Sequence, residues 1–300
     1  MKFYTTPYHS NLIKDNDRLS AFYEGILEIF NEISSEDSNK STFKTKIALD
    51  IGSGSGVLSY FASNYFDNII AIEIDNKIID CAKKSFKEAG IDNVTFISGD
   101  ATTYSFEKEN FIDLIICEIL DTALIDEEEI IVLNNLRKYL KVDGKIIPKG
   151  IINIAEPVFM EKDYIHYEDE EYHGKKPNYE VLGNSVKFAE FDFLDNINPE
   201  FKTTIDFNLN KSNLDDNFKK NKINGLKITT FTKITDNIIC GPTPMLNPPL
   251  FIPIDLKTDN FDTNNLNSPN INNDLNKKNV SVRLEYIMGG GIETIKANLI

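Results

Sequence analysis

The chain has 300 residues, of which 41% are hydrophobic and 26% charged, so it can form one large domain or two smaller ones with a sizeable core. No apolar run approaches the roughly 18–20 residues that cross a membrane, and the start, MKFYTTPYHSN, lacks a signal peptide's apolar stretch, so we expect a cytoplasmic protein without membrane contact. The formal net charge of −15 argues against a standing affinity for nucleic-acid phosphates and permits attraction of a cationic partner.

The N-terminal segment has the pattern of an amphipathic helix. Apolar residues recur at helical spacing over residues 10–33, and the polar stretch SSEDSNKST at 34–42 predicts a linker after them. We therefore expect residues 1–40 to form a helical N-terminal lid.

Strand and helix patterns alternate in the next part of the chain. Strand patterns cover 46–52, 68–75, 93–100, 111–119 and 145–157, helix patterns cover 57–66 and 77–90, and residues 127–144 have the pattern of a helix with a turn. Gly90 closes the second of these helices. Nearly continuous apolar strands that alternate with helices predict an α/β fold, with a parallel, doubly wound, Rossmann-like sheet in residues 41–155.

The pattern changes after about residue 156, where helical periods largely vanish. Short alternating runs such as SVKFAEFDFL, LKITTFTKI and VSVRLEYIM predict an antiparallel β-barrel or sandwich in residues 156–300. Two Asn-rich stretches, 208–224 and 257–280, are interpreted as surface loops. GGGIET (289–294) is followed by no helix pattern, so we interpret it as a bulge or hairpin between the last two strands.

A glycine-rich loop follows the first predicted strand. In LDIGSGSG (49–56), Asp50 ends the strand and Gly52, Gly54 and Gly56 allow a sharp turn with close approach to a ligand. The following helix supplies free N–H donors at its N-terminus. Glu73 ends the second strand, where a carboxylate can accept hydrogen bonds from two ribose hydroxyls. The motif therefore predicts a nucleoside-bearing cofactor.

Two cofactors compete for this loop. A nicotinamide dinucleotide fingerprint requires its last glycine one position later, where the chain has Val57. The spacing G-x-G-x-G fits S-adenosyl-L-methionine better. Asp100 and Ala101 end the third strand, beside the expected adenine, although an Asp there can also simply form a turn.

Acidic residues cluster after the fourth strand, in CEILDTALIDEEEI (117–130). Glu118 ends that strand, and ligands of open α/β sheets bind beyond the carboxyl ends of strands. Carboxylates in a first helical turn also complement the helix dipole, which is a sufficient explanation for Asp126, Glu128 and Glu129. We expect Glu118 to act on a substrate and the other three acids to mark a helix start.

Several segments together resemble the protein arginine methyltransferases. They are HSNLIKDNDR (9–18), ALDIGSGSGVLSYFAS, AIEID, CEILDTALIDE and KVDGKIIP. The resemblance covers the N-terminal half closely and the β-rich part only in general architecture. It implies an S-adenosylmethionine-dependent enzyme in which Arg18 pairs with the cofactor's carboxylate and His9 and Asp15 line the active-site lid. It further implies that Glu118 and Glu127, nine residues apart, grip a guanidinium.

The chain departs from that family in its β-rich part. The family carries a Thr-His-Trp loop, whereas this chain has no Trp and reads GPTPMLNPPL (241–250) at the comparable place. The histidine partner expected for Asp15 is therefore missing, and we interpret the chain as a member of a divergent archaeal branch. NPPL also resembles an Asn-Pro-Pro-aromatic motif of nucleic-acid methylases, but it lies outside the parallel sheet and ends in Leu, so we interpret its prolines as shaping a loop.

Three functional hypotheses follow. The first is N-methylation of a cationic, arginine-like protein side chain, with a protein substrate favoured over RNA because of the net charge. The alternatives are an RNA methyltransferase and a non-catalytic cofactor-binding scaffold. The three cysteines and three histidines match no metal or redox spacing, so we predict no metal site. A homodimer is also expected from the family, with residues 160–180 as the remnant of its dimerisation arm or merely a polar loop.

Overall fold

The computed structural model describes residues 1–37, 45–168, 179–209, 223–255 and 279–300. The predicted Asn-rich loops lie mostly outside these ranges, and the polar segment at 160–180 lies partly outside them. Within the described ranges, no helix combines the length and the apolar character needed to cross a membrane.

Two helices form the N-terminal part, where the periodicity predicted one. Helix α1 spans Pro7–Lys14 and α2 spans Asn16–Asp37, so the predicted helix is interrupted at Asp15 and the first residues of the predicted linker are helical. The Asp15 backbone leaves the helical region with ψ 89°, and its carboxylate accepts a hydrogen bond of 3.1 Å from the Arg18 amide. A capping side chain can start a new helix while the apolar residues on either side keep their helical spacing, so the sequence pattern does not show the break.

Five strands form the predicted parallel sheet. They are β1 Ile47–Ile51, β2 Asn68–Glu73, β3 Val94–Ser98, β4 Ile112–Cys117 and β5 Leu140–Ile147. Their order is β3-β2-β1-β4-β5, and every neighbouring pair is parallel. Strand β4 is buried along its whole length, as expected for a central strand of a sheet covered on both faces. The predicted Rossmann-like architecture is confirmed.

The helices of this part are α3 Val57–Ser63, α4 Asn76–Ala89 and α5 Glu129–Leu136. Gly90 ends α4 in the left-handed conformation, as predicted. The helix with a turn predicted at 127–144 is present as α5 and a 3₁₀ turn, but β5 already begins at Leu140, within the predicted range. Leu140 pairs with Ile112 of β4, so strand pairing and burial outweigh the helical pattern of this segment.

The rest of the chain is antiparallel. Its strands are β6 Gly150–Met160, β7 His166–Tyr167, β8 Tyr179–Val181, β9 Val186–Asp192, β10 Glu200–Asn208, β11 Gly225–Lys233, β12 Ile239–Cys240, β13 Leu250–Pro253, β14 Asn279–Ile287 and β15 Lys296–Leu299. One sheet is built around β6 and β11, and a second has the order β10-β14-β15. The predicted hairpin between the last two strands is confirmed by the antiparallel pairing of β14 with β15.

The two parts share a hydrophobic core. One continuous cluster of buried side chains includes Ile115 of β4 and Leu133 of α5 together with Leu226 of β11 and Val282 of β14. The β domain therefore packs directly against the sheet and its last helix, beside the carboxyl ends of the parallel strands. The division into 1–40, 41–155 and 156–300 stays a prediction.

Gly150 at the start of β6 allows a close approach between strands at the junction of the two parts. A Cβ atom there would lie 1.9 Å from the carbonyl oxygen of Phe191, so backbone would have to move. We predict that Gly150→Ala lowers the free energy of unfolding by about 2–3 kcal/mol, measured by urea denaturation. Gly241→Ala is the control, because its Cβ would meet only the Phe231 ring at 3.7 Å and 3.8 Å. Equal stabilities of the two variants would contradict the prediction.

Candidate active site

A cavity of about 340 Å³ lies beyond the carboxyl ends of β1, β2 and β4. Its lining includes most of the residues that the sequence singled out: His9, Arg18, Asp50, Gly52, Gly54, Glu73, Asp100, Ala101, Glu118 and Glu127. Gly56 and Asp15 are not in the lining. The volume is within the range of small-molecule sites.

The glycine loop has a backbone that few other residues could adopt. Gly52, Gly54 and Gly56 have φ angles of 64°, 50° and 79°. A Cβ atom on Gly54 would lie 2.9 Å from the His9 ring, and one on Gly52 would lie 2.8 Å from Ile119. Glycine is therefore required both by the left-handed turn and by the tight packing of His9 and of Ile119, just after β4, against the loop.

Glu73 is tied into the loop through both carboxylate oxygens. Oε2 accepts from the Gly54 amide at 2.9 Å and Oε1 accepts from the Asp75 amide at 3.0 Å. Each carboxylate oxygen can accept more than one hydrogen bond, so both retain capacity for a ligand hydroxyl. The side chain is held in place by the backbone that the ligand would approach.

His9 covers the glycine loop from α1. Its Nδ1 lies 2.7 Å from the Thr6 hydroxyl, and Thr6 is the N-cap of α1. Burial lowers the pKa of His9 despite the neighbouring Glu73, Asp75 and Glu118 carboxylates. A neutral imidazole therefore forms part of the cavity wall.

Asp50 lies under the loop and is almost completely buried. Its carboxylate accepts a hydrogen bond from the Ser59 hydroxyl of α3. Burial raises the pKa of Asp50 to about 7, and the Ser59 hydrogen bonds offset only part of that effect. Asp50 thus joins the end of β1 to the helix that follows the loop.

Asp100 is exposed and forms a turn after β3. Its Oδ1 accepts from the Thr102 amide at 2.9 Å and from the Thr102 hydroxyl at 2.6 Å, and these bonds lower the pKa of Asp100. Ala101 follows, and its carbonyl accepts from the Asn135 side chain at 3.0 Å. Asp100 therefore forms a turn and also lines the cavity.

Arg18 and Glu118 form a bidentate ion pair across the cavity. Arg18 Nε donates to Glu118 Oε1 at 2.7 Å, Nη2 donates to Oε2, and Nη1 donates to the Leu12 carbonyl at 3.1 Å. Arg18 is 2% exposed. The sequence predicted separate roles for the two side chains and did not predict their pairing. Among the described residues, one N–H on each of Nη1 and Nη2 has no acceptor, so the guanidinium can take a second carboxylate.

The segment between β4 and α5, residues 118–128, is called the carboxylate segment below. Asp121 organises it: Oδ2 accepts from the amides of Ile125 and Asp126 at 3.1 Å and 3.0 Å, and Oδ1 accepts from the Glu127 amide at 3.3 Å. Burial raises the pKa of Asp121 to about 7 against the effect of those amides. The sequence analysis did not single out Asp121. The one signal in the sequence is its position, four residues after a buried strand and shortly before a run of acidic residues.

The interpretation of Asp126, Glu128 and Glu129 as helix-start acids holds for Glu128, the N-cap of α5, and for Glu129 in its first turn, whereas Asp126 lies two residues before the N-cap. Glu129 is fully buried, its Oε2 accepts from the Ile119 amide at 3.0 Å, and burial raises its pKa well above the usual range. Asp126 accepts from the Tyr167 hydroxyl at 2.7 Å. Glu129 and Asp126 therefore make contacts beyond a helix start, and Glu128 is the exposed N-cap residue of α5.

Glu127 is presented to the cavity at the end of this segment. Partial burial raises its pKa, and the negative charges of Asp126, Glu118 and Glu128 raise it further. Within the described residues, no ion pair is formed by the Glu127 carboxylate. A cation placed between Glu118 and Glu127 would be attracted by both.

The middle of the carboxylate segment is inserted into the β domain. Ala123 and Leu124 both have positive φ angles, 60° and 61°. The Ala123 amide donates to the Thr230 hydroxyl of β11 at 2.9 Å, and the Thr122 hydroxyl donates to the Pro248 carbonyl at 2.6 Å. These contacts hold two residues in a conformation that non-glycine residues rarely adopt.

Comparisons with known proteins bear directly on this site. A family profile described as a methyltransferase domain matches residues 48–144, which contain the glycine loop and most of the cavity floor. A protein of the archaeon Methanothermobacter thermautotrophicus is 36% identical over 300 residues, covering 100% of both chains. The chain therefore contains a methyltransferase domain, and the archaeal relative, which is described only as an uncharacterized protein, matches the chain over its whole length.

Two further similarities concern arginine methyltransferases. Protein arginine N-methyltransferase 1 of Saccharomyces cerevisiae is 28% identical over 178 residues, which are 57% of this chain and 44% of that protein. The solved structure of the Trypanosoma brucei PRMT1 enzyme–prozyme heterotetrameric complex with AdoHcy matches 93% of this chain and 87% of its own, with a TM-score of 0.65 at 15% identity. The predicted resemblance is confirmed, and the methyltransferase shares the fold of that family.

The loop at 241–250 of the methyltransferase reaches the N-terminal helices. Asp15 Oδ2 accepts from the Thr243 hydroxyl and from the Met245 amide, the latter at 3.3 Å. Thr243 and a backbone N–H thus contact Asp15 where the resemblance implied a histidine. Met245 lines the cavity. Asn247 donates to the Thr232 hydroxyl at 2.8 Å and is absent from the cavity lining, so the NPPL motif shapes the loop.

Asp50 gives the methyltransferase a pH-dependent stability. A carboxyl whose folded-state pKa is raised from 3.8 to about 7 adds stability below pH 4, and that contribution is lost as the pH rises through 7. We predict that the unfolding free energy of Asp50→Asn, taken relative to wild type, rises by roughly 2–3 kcal/mol when the pH is raised from 5 to 8. Urea denaturation at both pH values measures this change, and parallel pH profiles of the two proteins would contradict it.

Proposed function

We propose that this methyltransferase transfers a methyl group to a nitrogen of a cationic, arginine-like protein side chain. The observation that carries the proposal is the Glu127 carboxylate, which lines the cavity together with Glu118 and forms no ion pair within the described residues. A carboxylate pair of this kind suits a planar cation with several N–H donors.

We assign the cofactor to the glycine loop and the strand ends around it. The left-handed glycines permit close approach, and Glu73 retains acceptor capacity for ribose hydroxyls. Asp100 and Ala101 form the wall where the adenine would lie. The unused N–H groups of Arg18 can take the cofactor's carboxylate while the guanidinium stays paired with Glu118. The residues present therefore fit S-adenosylmethionine.

The assignment of Glu73 gives a binding prediction. We expect Glu73→Gln to weaken binding of S-adenosylhomocysteine about 10- to 100-fold, because charge-assisted hydrogen bonds to the ribose are lost. Isothermal titration measures the dissociation constant. The exposed Glu109, outside the cavity lining, is the charge-matched control as Glu109→Gln. Unchanged affinity of Glu73→Gln would remove Glu73 from the cofactor site.

The chemistry requires little of the protein beyond positioning and proton removal. When bound, S-adenosylmethionine supplies an electrophilic methyl group on a positively charged sulfur. Glu118 and Glu127 would hold the acceptor so that a nitrogen lone pair points at that methyl. The raised pKa of Glu127 fits it to take the proton that the methylated nitrogen releases.

The acceptor assignment predicts different effects for adjacent glutamates. With tritiated S-adenosylmethionine and the protein fraction of a cell extract, we expect Glu127→Gln to lower the initial rate of methyl transfer roughly 10- to 100-fold. The affinity for S-adenosylhomocysteine stays within a factor of about three. Glu128→Gln removes the same charge from the neighbouring residue, which is likewise exposed and also lines the cavity, and we expect a smaller loss because we assign it no role in holding the acceptor. Equal losses in the two variants would show that only overall charge matters.

We also propose that the enzyme works as a homodimer. The support is the fold shared with a solved complex described as a heterotetramer, together with the expectation from the family. Cytoplasmic localisation likewise stays a prediction. Sedimentation equilibrium of the purified chain measures the oligomeric state.

A further inference from the structure

We propose that the glycine turn between β14 and β15, residues 288–292, holds the carboxylate segment in place, and that Gly289 is a positioning residue for Glu127. We call residues 288–292 the glycine turn. This inference rests on the proposed role of Glu127 in holding the acceptor. It gives a function to the GGGIET sequence, which the cofactor site does not use.

The glycine turn is bonded to the carboxylate segment through its backbone. The Gly289 amide donates to the Leu124 carbonyl at 2.9 Å, and the Gly291 amide donates to the Ile125 carbonyl at 2.9 Å. The Ile292 amide donates to Asp126 Oδ1 at 3.1 Å. Three successive residues of the segment are thus held by one turn of the β domain.

Asp121 holds the same stretch from the opposite side. Its carboxylate accepts from the amides of Ile125, Asp126 and Glu127, whereas the glycine turn donates to the carbonyls and to the Asp126 side chain. The amides of residues 125–127 and the carbonyls of residues 124 and 125 are therefore all hydrogen-bonded. A peptide segment restrained on both edges has few conformations left.

Gly289 leaves little room for a side chain beside the backbone of Glu127 and Glu128. A Cβ atom on Gly289 would lie 3.3 Å from Glu128 Cα and 3.4 Å from the Glu127 carbonyl oxygen. Its φ of 70° also favours glycine. A methyl group at this position would press on Glu128 Cα and contact the Glu127 carbonyl, next to the carboxylate that lines the cavity.

The glycine turn is itself well anchored, so it can act as a fixed support. Met288 is buried, and its amide donates to the Pro199 carbonyl at 2.9 Å. The Ile287 amide donates to the Thr294 hydroxyl at 3.1 Å, closing the base of the turn. Glu118 is therefore placed by the parallel sheet, and Glu127 by a hairpin of the β domain.

The test compares Gly289→Ala with Gly90→Ala. Both glycines have φ 70°, but a Cβ on Gly90 would meet nothing within 4 Å, so the two variants share the backbone strain and differ in the contact with the carboxylate segment. Hydrogen–deuterium exchange is measured on peptides covering 121–130. The affinity for S-adenosylhomocysteine and the apparent KM and kcat on the protein fraction of a cell extract are measured in parallel.

We expect Gly289→Ala to speed exchange of the 121–130 peptides roughly tenfold and to raise the apparent KM by a similar factor. The affinity for S-adenosylhomocysteine should match that of Gly90→Ala, which should leave exchange and KM close to wild type. Unchanged exchange in Gly289→Ala, faster exchange with unchanged KM, or a parallel loss of S-adenosylhomocysteine affinity would each overturn the inference. Failure of the wild-type enzyme to label protein would overturn the proposed acceptor instead, and the exchange result would still decide whether Gly289 restrains the segment.

Discussion

The ion pair between Arg18 and Glu118 joins the N-terminal helices to the end of the central strand. Arg18 is 2% exposed and binds both oxygens of Glu118, and removing one member of a buried pair leaves the other uncompensated. Docking of the N-terminal helices and the orientation of both side chains in the cavity are therefore one structural event. The Asp15 cap, which starts α2 just before Arg18, contributes to the same arrangement.

The second carboxylate depends on a different part of the chain. Glu127 follows a stretch held by the buried Asp121, by Thr230 of β11 and by the glycine turn. Arg18 balances the charge of Glu118, whereas no ion pair within the described ranges balances the Glu127 carboxylate that lines the cavity. This asymmetry favours a cationic acceptor over a phosphate-bearing one, and it arises where the two domains meet.

The sequence was sufficient for the parallel sheet because continuous apolar strands and helical periods are local signals. It also predicted the residues of the cofactor loop, since glycine spacing and an acid at a strand end carry mechanistic meaning. It could not predict the break between α1 and α2 at Asp15, because the helical spacing of apolar residues continues through this capping residue. It also could not predict that β5 begins at Leu140, because that start depends on pairing with β4. The burial of Asp121 and Glu129 depends on packing against distant strands, which an acidic run of sequence does not reveal.

The identity of the labelled molecule tests the proposed function most directly. Wild-type enzyme is incubated with tritiated S-adenosylmethionine and separate cell pools of protein and RNA, and labelled protein is hydrolysed to amino acids. We predict label in the protein pool, on a side-chain nitrogen of a cationic residue such as arginine. Label confined to RNA, or no label in either pool while S-adenosylhomocysteine still binds, would contradict the proposed function.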